Sequence, residues 1–167
     1  AGKRTDPHEF PADPGGAAVI DVDRGGKITF HGPGQLVGYP ILDLTGHRQD
    51  LHWYLRAVEE ALILGLHDLG LTGARRPGLT GVWVDDRKVA SIGIHVRQWV
   101  TTHGFALNLS NDLADFGLIV PCGIPDVRMT SVARELDEPG TPASLWAAAT
   151  AAVTRAFGTV FGVILVP

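Results

Sequence analysis

The chain has 167 residues, of which 45% are hydrophobic, and a formal net charge of −4. A chain of this length fits one domain with a substantial core, whereas its longest apolar stretch, residues 61–66, is far below the ~20 residues that span a bilayer. No run of like charge indicates a nucleic-acid or membrane partner. We therefore expect a soluble globular protein, and its single cysteine, which excludes an intrachain disulfide, fits the reducing cytoplasm.

The first elements predicted along the chain are three short strands. Residues 17–22 and 27–30 have β-favouring composition and flank the turn signal Asp23–Gly26, a pattern typical of a hairpin. Residues 36–42 return to the same composition and contain Pro40, which indicates an edge strand or a bulge. The many glycines and prolines, 21 and 11 in number, predict frequent turns and functional loops.

An amphipathic helix and a second hairpin are predicted in the middle of the chain. From Asp50, apolar residues recur every three or four positions as far as Gly70, which predicts a helix capped by the aspartate. Residues 81–84 and 88–96 then flank a short turn as two strands, and residues 100–109 return as a third strand.

The last predicted elements are a short strand and a helix. Residues 117–120 form a short apolar run, which predicts a strand and places Cys122 in the loop beyond it. Thr141 and Pro142 supply an N-cap and a first-turn proline for a final helix, and Gly158 marks its end. Strands and helices are mixed without a regular βαβ alternation, so the predicted fold class is α+β, with a mixed, largely antiparallel sheet flanked by helices.

Cys122, the only thiol, and Lys88 are the first candidates for chemistry. Pro121 and Gly123 predict a tight, exposed loop around the cysteine, in which a free backbone N–H near the thiol would stabilise an oxyanion. Thiol catalysis needs a base or a cation nearby, and Lys88 ends the apolar face formed by alternate residues of the strand 88–96. A buried structural thiol and a strand-end lysine whose amine reaches water are the alternatives.

Two glycine-rich stretches are candidate ligand-binding loops. Arg24–Gly26 would let a ligand approach the backbone while the arginine binds a carboxylate or phosphate, although a plain hairpin turn explains the same residues. His31–Gln35 indicates a fixed wall with the histidine at its edge. His95 and His103 could face each other across a hairpin, with a solvated pair as the alternative, but no HxH, HExxH, Walker or GxGxxG motif supports metal or nucleotide chemistry.

Four motifs taken together resemble the lipoyl(octanoyl) transferase family in order and spacing. They are RGGKITFHGPGQL at 24–36, RKVASIGI at 87–94, GFALNL at 104–109 and PCGI at 121–124. The resemblance runs from Ala1 to about Leu136 and implies the catalytic-domain fold shared with lipoate and biotin protein ligases. It also implies that residues 1–167 form a single acyltransferase catalytic domain lacking the N-terminal segment with which members of the family begin.

The resemblance further implies the reaction and its residues. An octanoyl group passes from octanoyl-acyl carrier protein, through a cysteine thioester, to a lysine amine of lipoyl domains in 2-oxoacid dehydrogenases and in the glycine cleavage H protein. This is the first step of endogenous protein lipoylation, and it needs no cofactor or metal. Cys122 is the implied nucleophile and Lys88 its partner. The implied substrate-binding residues are Arg24, Gly25, Gly26, Lys27, Ile28, Thr29, Phe30, His31, Ser91, Ile92, Gly93, Gly104, Phe105 and Ala106.

Two other functions fit the same sequence less well. An ATP-dependent lipoate-protein ligase shares the implied fold, but those ligases act without a nucleophilic cysteine at the place of Cys122. A non-catalytic acyl-binding module would follow if the missing N-terminal segment were essential for activity.

Overall fold

The computed structural model describes residues 1–6, 9 and 17–164. Within these residues six strands form one mixed sheet and three α-helices accompany it, so the predicted α+β class is confirmed. The strands are β1 (Gln35–Gly38), β2 (Ala74–Arg76), β3 (Leu79–Val84), β4 (Arg87–Arg97), β5 (Val100–Asn108) and β6 (Arg128–Met129), and the helices are α1 (Leu51–Asp68), α2 (Val132–Glu135) and α3 (Pro142–Phe161).

The sheet is built around the long hairpin of β4 and β5. Its strand order is β1-β5-β4-β3-β2 with antiparallel neighbours, and β6 pairs with β4 in parallel. The hairpin predicted in the middle of the chain and the third strand predicted after it are both present. β1 lies at one edge of the sheet as predicted, but it ends at Gly38 and not at residue 42, so Pro40 follows the strand and takes no part in its ladder. The Pro40 carbonyl accepts hydrogen bonds from the hydroxyls of Tyr54 and Thr101 instead.

One hydrophobic core joins the sheet to α1 and α3. The carboxylate of Asp50 accepts the N–H groups of His52 and Trp53, so α1 begins where the sequence predicts. Gly65 lets the two long helices approach closely, since a Cβ there would lie 3.1 Å from a methyl group of Val153. Within the described ranges, no helix combines the length and the apolar character that crossing a bilayer requires.

The first predicted hairpin is wrong, because neither residues 17–22 nor residues 27–30 form a strand. These extended segments bond to other loops rather than to each other: Val22 N–H donates to the Ala1 carbonyl and Cys122 N–H to the Ile28 carbonyl. β-favouring composition signals an extended backbone, but it does not select the partner that makes a ladder.

Two further boundaries differ from the prediction. Residues 117–120 are not a strand, because Ala114–Leu118 and Pro121–Gly123 form two 3₁₀ turns with a short link between them. Gly158 does not end α3, which continues to Phe161 and stops at Gly162 in the left-handed conformation (φ 65°). Phe161 packs against the aromatic core, and this packing outweighs the weak helix propensity of a glycine one turn earlier.

A bidentate ion pair between Arg87 and Glu135 connects the start of β4 to α2. Arg87 Nε lies 2.7 Å from Glu135 Oε1, and Arg87 Nη2 lies 2.9 Å from Glu135 Oε2. These hydrogen bonds hold the pKa of Glu135 below its usual range, with a smaller contribution from the Thr130 hydroxyl. The pair thereby fixes the strand end next to Lys88.

We expect Glu135→Gln to lower the melting temperature by a few degrees at pH 7. Because the folded-state pKa of Glu135 is lowered, its contribution is complete above the unfolded-state value near 4.5 and is lost as the pH falls through the folded-state value. The difference between wild type and Glu135→Gln should therefore shrink below about pH 4.5. Thermal unfolding followed by circular dichroism from pH 7 to pH 3 measures it, with the exposed Glu138→Gln as control. An equal difference at every pH would contradict the assignment.

Candidate active site

A cavity of about 890 Å³ opens between residues 17–33 and the neighbouring face of β4 and β5. Cys122 lines it, together with every residue that the resemblance assigns to substrate binding, from Arg24–His31 through Ser91–Gly93 to Gly104–Ala106. A second cavity of about 930 Å³ lies among the loops on the far side of Pro121 without Cys122 in its wall, and Lys88 lines neither cavity. The predicted chemistry thus gathers around the first cavity.

A pair of facing glycines shapes this cavity. Gly93 and Gly104 are partners across the β4–β5 hairpin. A Cβ on Gly93 would lie 2.7 Å from the Arg24 side chain, and one on Gly104 would lie 2.2 Å from the Gly38 carbonyl oxygen. Because neither glycine carries a Cβ, the loop at Gly25 can lie directly on β4, where the Gly25 N–H donates to the Ile94 carbonyl at 2.8 Å. The Arg24–Gly26 stretch is therefore part of the cavity wall and not the turn of a hairpin.

Arg24 is a cation near the thiol that the sequence did not single out as its partner. Its Nη1 donates to the carbonyls of Lys27 at 2.8 Å and of Gly25 at 3.1 Å. Burial lowers the pKa of the Arg24 guanidinium, and the nearby Cys122 opposes this shift because a thiolate favours a charged neighbour. Arg24 therefore adds positive charge on the Cys122 side of the cavity.

Cys122 occupies a 3₁₀ turn in the left-handed backbone region, with φ 58° and ψ 15°. Its Sγ lies 3.6 Å from the Ser91 hydroxyl oxygen. The predicted free N–H beside the thiol is not found, because the N–H of Cys122 donates to Ile28 at 2.8 Å and that of Gly123 to Val120 at 2.9 Å. Among the described residues, the hydroxyls of Ser91 and Thr29, the latter buried without a partner, offer donors at the cavity instead.

Lys88 is buried, with 1% of its surface exposed, which excludes the alternative of an amine that reaches water. Its Nζ donates to the Thr80 carbonyl at 3.1 Å and lies 5.0 Å from the centre of the Trp83 ring. The pairing of β3 with β4 shifts by one residue at Val89, a β-bulge that interrupts the apolar row predicted to begin at Lys88. No ion pair within the described ranges involves Lys88, and burial of an unpaired lysine is costly, so this position points to a chemical role.

The two catalytic candidates approach the same cavity wall from different sides. Thr80, which binds the Lys88 amine, lines the cavity together with Ser91, which contacts the thiol. In the described part of the chain no hydrogen bond joins Lys88 to Cys122. Their joint action is therefore an expectation carried by the proposal below.

A chain of hydrogen bonds fixes the orientation of His31 at the cavity mouth. The Thr130 carbonyl accepts from Asn108 Nδ2 at 2.9 Å, so Asn108 Oδ1 accepts from Gln35 Nε2 at 2.8 Å. Gln35 Oε1 then faces His31 Nδ1 at 2.7 Å and must accept its proton. A neutral His31 consequently carries its proton on Nδ1 and presents Nε2 as a proton acceptor. The predicted wall at His31–Gln35 is thus rigid, and its histidine is oriented.

His95 and His103 both contact Asp23 rather than each other. β5 pairs His103 with Ile94 and not with His95. His103 Nε2 lies 2.6 Å from Asp23 Oδ1, and this hydrogen bond lowers the pKa of the Asp23 carboxyl. Over the described residues no group of three side chains suited to a metal ion occurs.

Comparison with known proteins identifies a family from the sequence. Residues 2–154 match the family described as lipoyl protein ligase A/B catalytic domain. An octanoyltransferase of Gloeobacter violaceus is 56% identical over 123 residues, covering 74% of this chain and 55% of the relative. An octanoyltransferase of Nostoc punctiforme is 48% identical over 165 residues, covering 99% of this chain and 70% of the relative. The chain spans about half the length of several curated relatives, such as 47% of that of Synechococcus elongatus.

Solved structures with low sequence identity share the fold. A putative lipoate protein ligase from T. acidophilum with bound lipoic acid superimposes with a TM-score of 0.71 at 16% identity, covering 91% of this chain and 62% of that one. A biotin protein ligase from Aquifex aeolicus gives a TM-score of 0.53 at 12% identity, covering 77% and 55%. The neighbours share the fold, and the match over residues 2–154 shows that the chain belongs to the lipoyl protein ligase A/B catalytic domain family.

Proposed function

We propose that residues 1–167 act as the catalytic domain of an octanoyltransferase. The observation that carries the proposal is the half-buried thiol of Cys122 in the wall of a cavity large enough for an acyl chain, in a chain that is half identical to proteins with that activity. The donor in this proposal is octanoyl-acyl carrier protein and the acceptor is a lysine of a lipoyl domain. A lone thiol must stay reduced to act, so we place the reaction in the cytoplasm.

The first half-reaction moves the acyl group onto the protein. The Cys122 thiolate attacks the carbonyl carbon of the donor thioester, the new carbon–sulfur bond forms, and the carrier-protein thiol leaves and takes up a proton. Lys88 and Arg24 supply positive charge that favours the thiolate. The hydroxyls of Ser91 and Thr29 are the proposed donors to the oxyanion. Exchange of one thioester for another is nearly balanced in energy, so no nucleotide is consumed.

The second half-reaction releases the acyl group as an amide. The acceptor lysine arrives as an ammonium, loses a proton, and attacks the Cys122 thioester, and a second proton passes to the departing thiolate. Lys88 in its neutral form, or Nε2 of His31, takes the first proton. The nitrogen loses the second proton as the amide forms, and the Lys88 amine relays it to the thiolate. Formation of the amide at the expense of a thioester drives this step.

The cavity suits a saturated acyl chain. Its inner wall carries Ile28, Ile92 and Phe105 on elements that the glycine pair brings together. An apolar chain gains about 0.8 kcal/mol for each methylene removed from water. The thioester end would then lie toward Cys122, at the side of the cavity that holds the polar hydroxyls.

We expect transfer from octanoyl-acyl carrier protein to an apo lipoyl domain to proceed without ATP or magnesium, because the donor thioester is already activated. The mass of the lipoyl domain, measured with and without EDTA, tests this. Free octanoate with ATP is the control and should give no product. Product formed only from free octanoate and ATP would instead assign the chain to the ligases of its family. Binding of the donor without transfer would favour the non-catalytic acyl-binding module.

A further inference from the structure

Glu59 is a fully buried carboxylate on α1 that the proposed mechanism does not use. Its Oε2 accepts hydrogen bonds from Arg56 at 2.6 Å and from Arg75 at 3.1 Å. Its Oε1 accepts the backbone N–H of Gly81 at 3.1 Å. The two arginines balance the buried charge, and the remaining oxygen is directed at one peptide group of β3.

That peptide group is the one that holds the Lys88 amine. The peptide between Thr80 and Gly81 donates its N–H to Glu59, and its carbonyl oxygen accepts a hydrogen bond from Lys88 Nζ at 3.1 Å. The N–H and C=O of a trans peptide point in opposite directions, so the carboxylate and the amine lie at opposite edges of one rigid plane. Hydrogen bonds in such a chain polarise one another, and the carboxylate makes the Thr80 oxygen a stronger acceptor for an ammonium.

Gly81 is required for this arrangement. It has φ 134°, and a Cβ there would lie 2.7 Å from Lys88 Cε and 2.6 Å from the Ala90 carbonyl oxygen. The lysine side chain therefore passes directly over the Gly81 Cα. The position and orientation of this one peptide decide where the Lys88 amine lies.

We propose that Glu59 is the positioning residue for Lys88, acting through the Thr80–Gly81 peptide to hold the amine in place. This role rests on the proposed function, because it presupposes that Lys88 serves the Cys122 thiol. Glu59 itself touches neither the cavity nor the reacting atoms. The charge of Glu59 and its hydrogen bond to Gly81 are both needed. A neutral side chain of the same shape should therefore hold the Lys88 amine less firmly.

The test compares Glu59→Gln with Glu60→Gln, a neighbouring glutamate that binds the same Arg75 but not Gly81. We expect Glu59→Gln to lower kcat for octanoyl transfer by about 10- to 100-fold while KM for carrier protein and for the lipoyl domain stays within about twofold of wild type. Glu60→Gln should stay close to wild type in both. Thermal unfolding must show each variant folded at the assay temperature, and Glu59→Asp replaces Glu59→Gln if the latter is not.

A double-mutant cycle with Lys88→Met separates positioning from plain stability. The readout is the rate at which iodoacetamide alkylates Cys122 at neutral pH, which every folded variant yields. Glu59→Gln should slow alkylation about 3- to 10-fold when Lys88 is present and leave it unchanged in the Lys88→Met background. Equal slowing in both backgrounds would refute the positioning role.

Amide hydrogen exchange tests the contact without reference to any reaction. The Gly81 N–H should exchange at least about tenfold faster in Glu59→Gln than in Glu60→Gln, since only the first removes its charged acceptor. Unchanged exchange would overturn the inference while the proposed function stands. If wild type transferred no octanoyl group, the proposed function would fall and this role with it, even with the Gly81 contact intact.

Discussion

Incubation of the wild-type protein with octanoyl-acyl carrier protein should add one octanoyl group to its mass, and Cys122→Ala should never carry the adduct. The chain has no second thiol, so an acyl group held as a thioester has one place to go. Hydroxylamine at neutral pH should remove it, because thioesters are cleaved under conditions that leave amides intact. We expect the rate of transfer to the lipoyl domain to fall by about 10³-fold or more in Cys122→Ala.

Cys122→Ala should remove the thiol without disturbing the backbone of its loop. The backbone of Cys122 is held by its N–H bond to Ile28, which alanine retains, and the Sγ contacts only the Ser91 hydroxyl among the hydrogen bonds of the described residues. The melting temperature should therefore stay near that of wild type. Acylation that persists in Cys122→Ala, or an adduct that resists hydroxylamine, would show that the acyl group is held elsewhere and end the thioester mechanism.

Local patterns in the sequence predict the regular elements of this fold well. The three- and four-residue spacing from Asp50 predicts α1, and the β-favouring segments around the turn after residue 84 predict the strands β3 to β5 within a few residues. The partners of these elements are close in the chain. Residues 17–30 have an equally clear β-favouring composition, but their hydrogen-bond partners are distant loops. Composition does not reveal such partners, so the predicted hairpin is wrong.

The candidate site likewise has features that the sequence predicts and one that it does not. The family resemblance implies which residues line the cavity, and two of them, Gly93 and Gly104, lie where two backbones approach. The one-residue bulge at Val89 carries no signal in the sequence, so Lys88 could not be placed by alternation alone.

The sequence carries a signal for the buried position of Glu59. Residues 55, 59, 62 and 66 lie on one face of α1, and Glu59 is the charged residue among three leucines. A charged residue at such a position needs a partner inside the protein. The partner, a backbone N–H of β3, becomes visible only in the fold.

Comparison of Lys88→Arg with Lys88→Met distinguishes a lysine that supplies charge alone from one that also moves protons. Arginine keeps the positive charge but does not deprotonate in a protein, whereas methionine keeps the unbranched shape and removes the charge. Lys88→Met should slow both the alkylation of Cys122 and octanoyl transfer.

If Lys88 shuttles protons, Lys88→Arg should retain rapid alkylation by iodoacetamide while transfer to the acceptor amine falls by a factor of about 10² to 10⁴. We expect this result, because the acceptor lysine arrives as an ammonium and Lys88 is held by a carbonyl oxygen at the cavity wall. Its site is buried, so thermal unfolding and the alkylation rate must first show that the larger guanidinium is accommodated. Amine transfer within a few-fold of wild type in Lys88→Arg would assign the base to His31, whose Nε2 the Gln35 contact leaves as the acceptor, and His31→Gln should then show the loss instead.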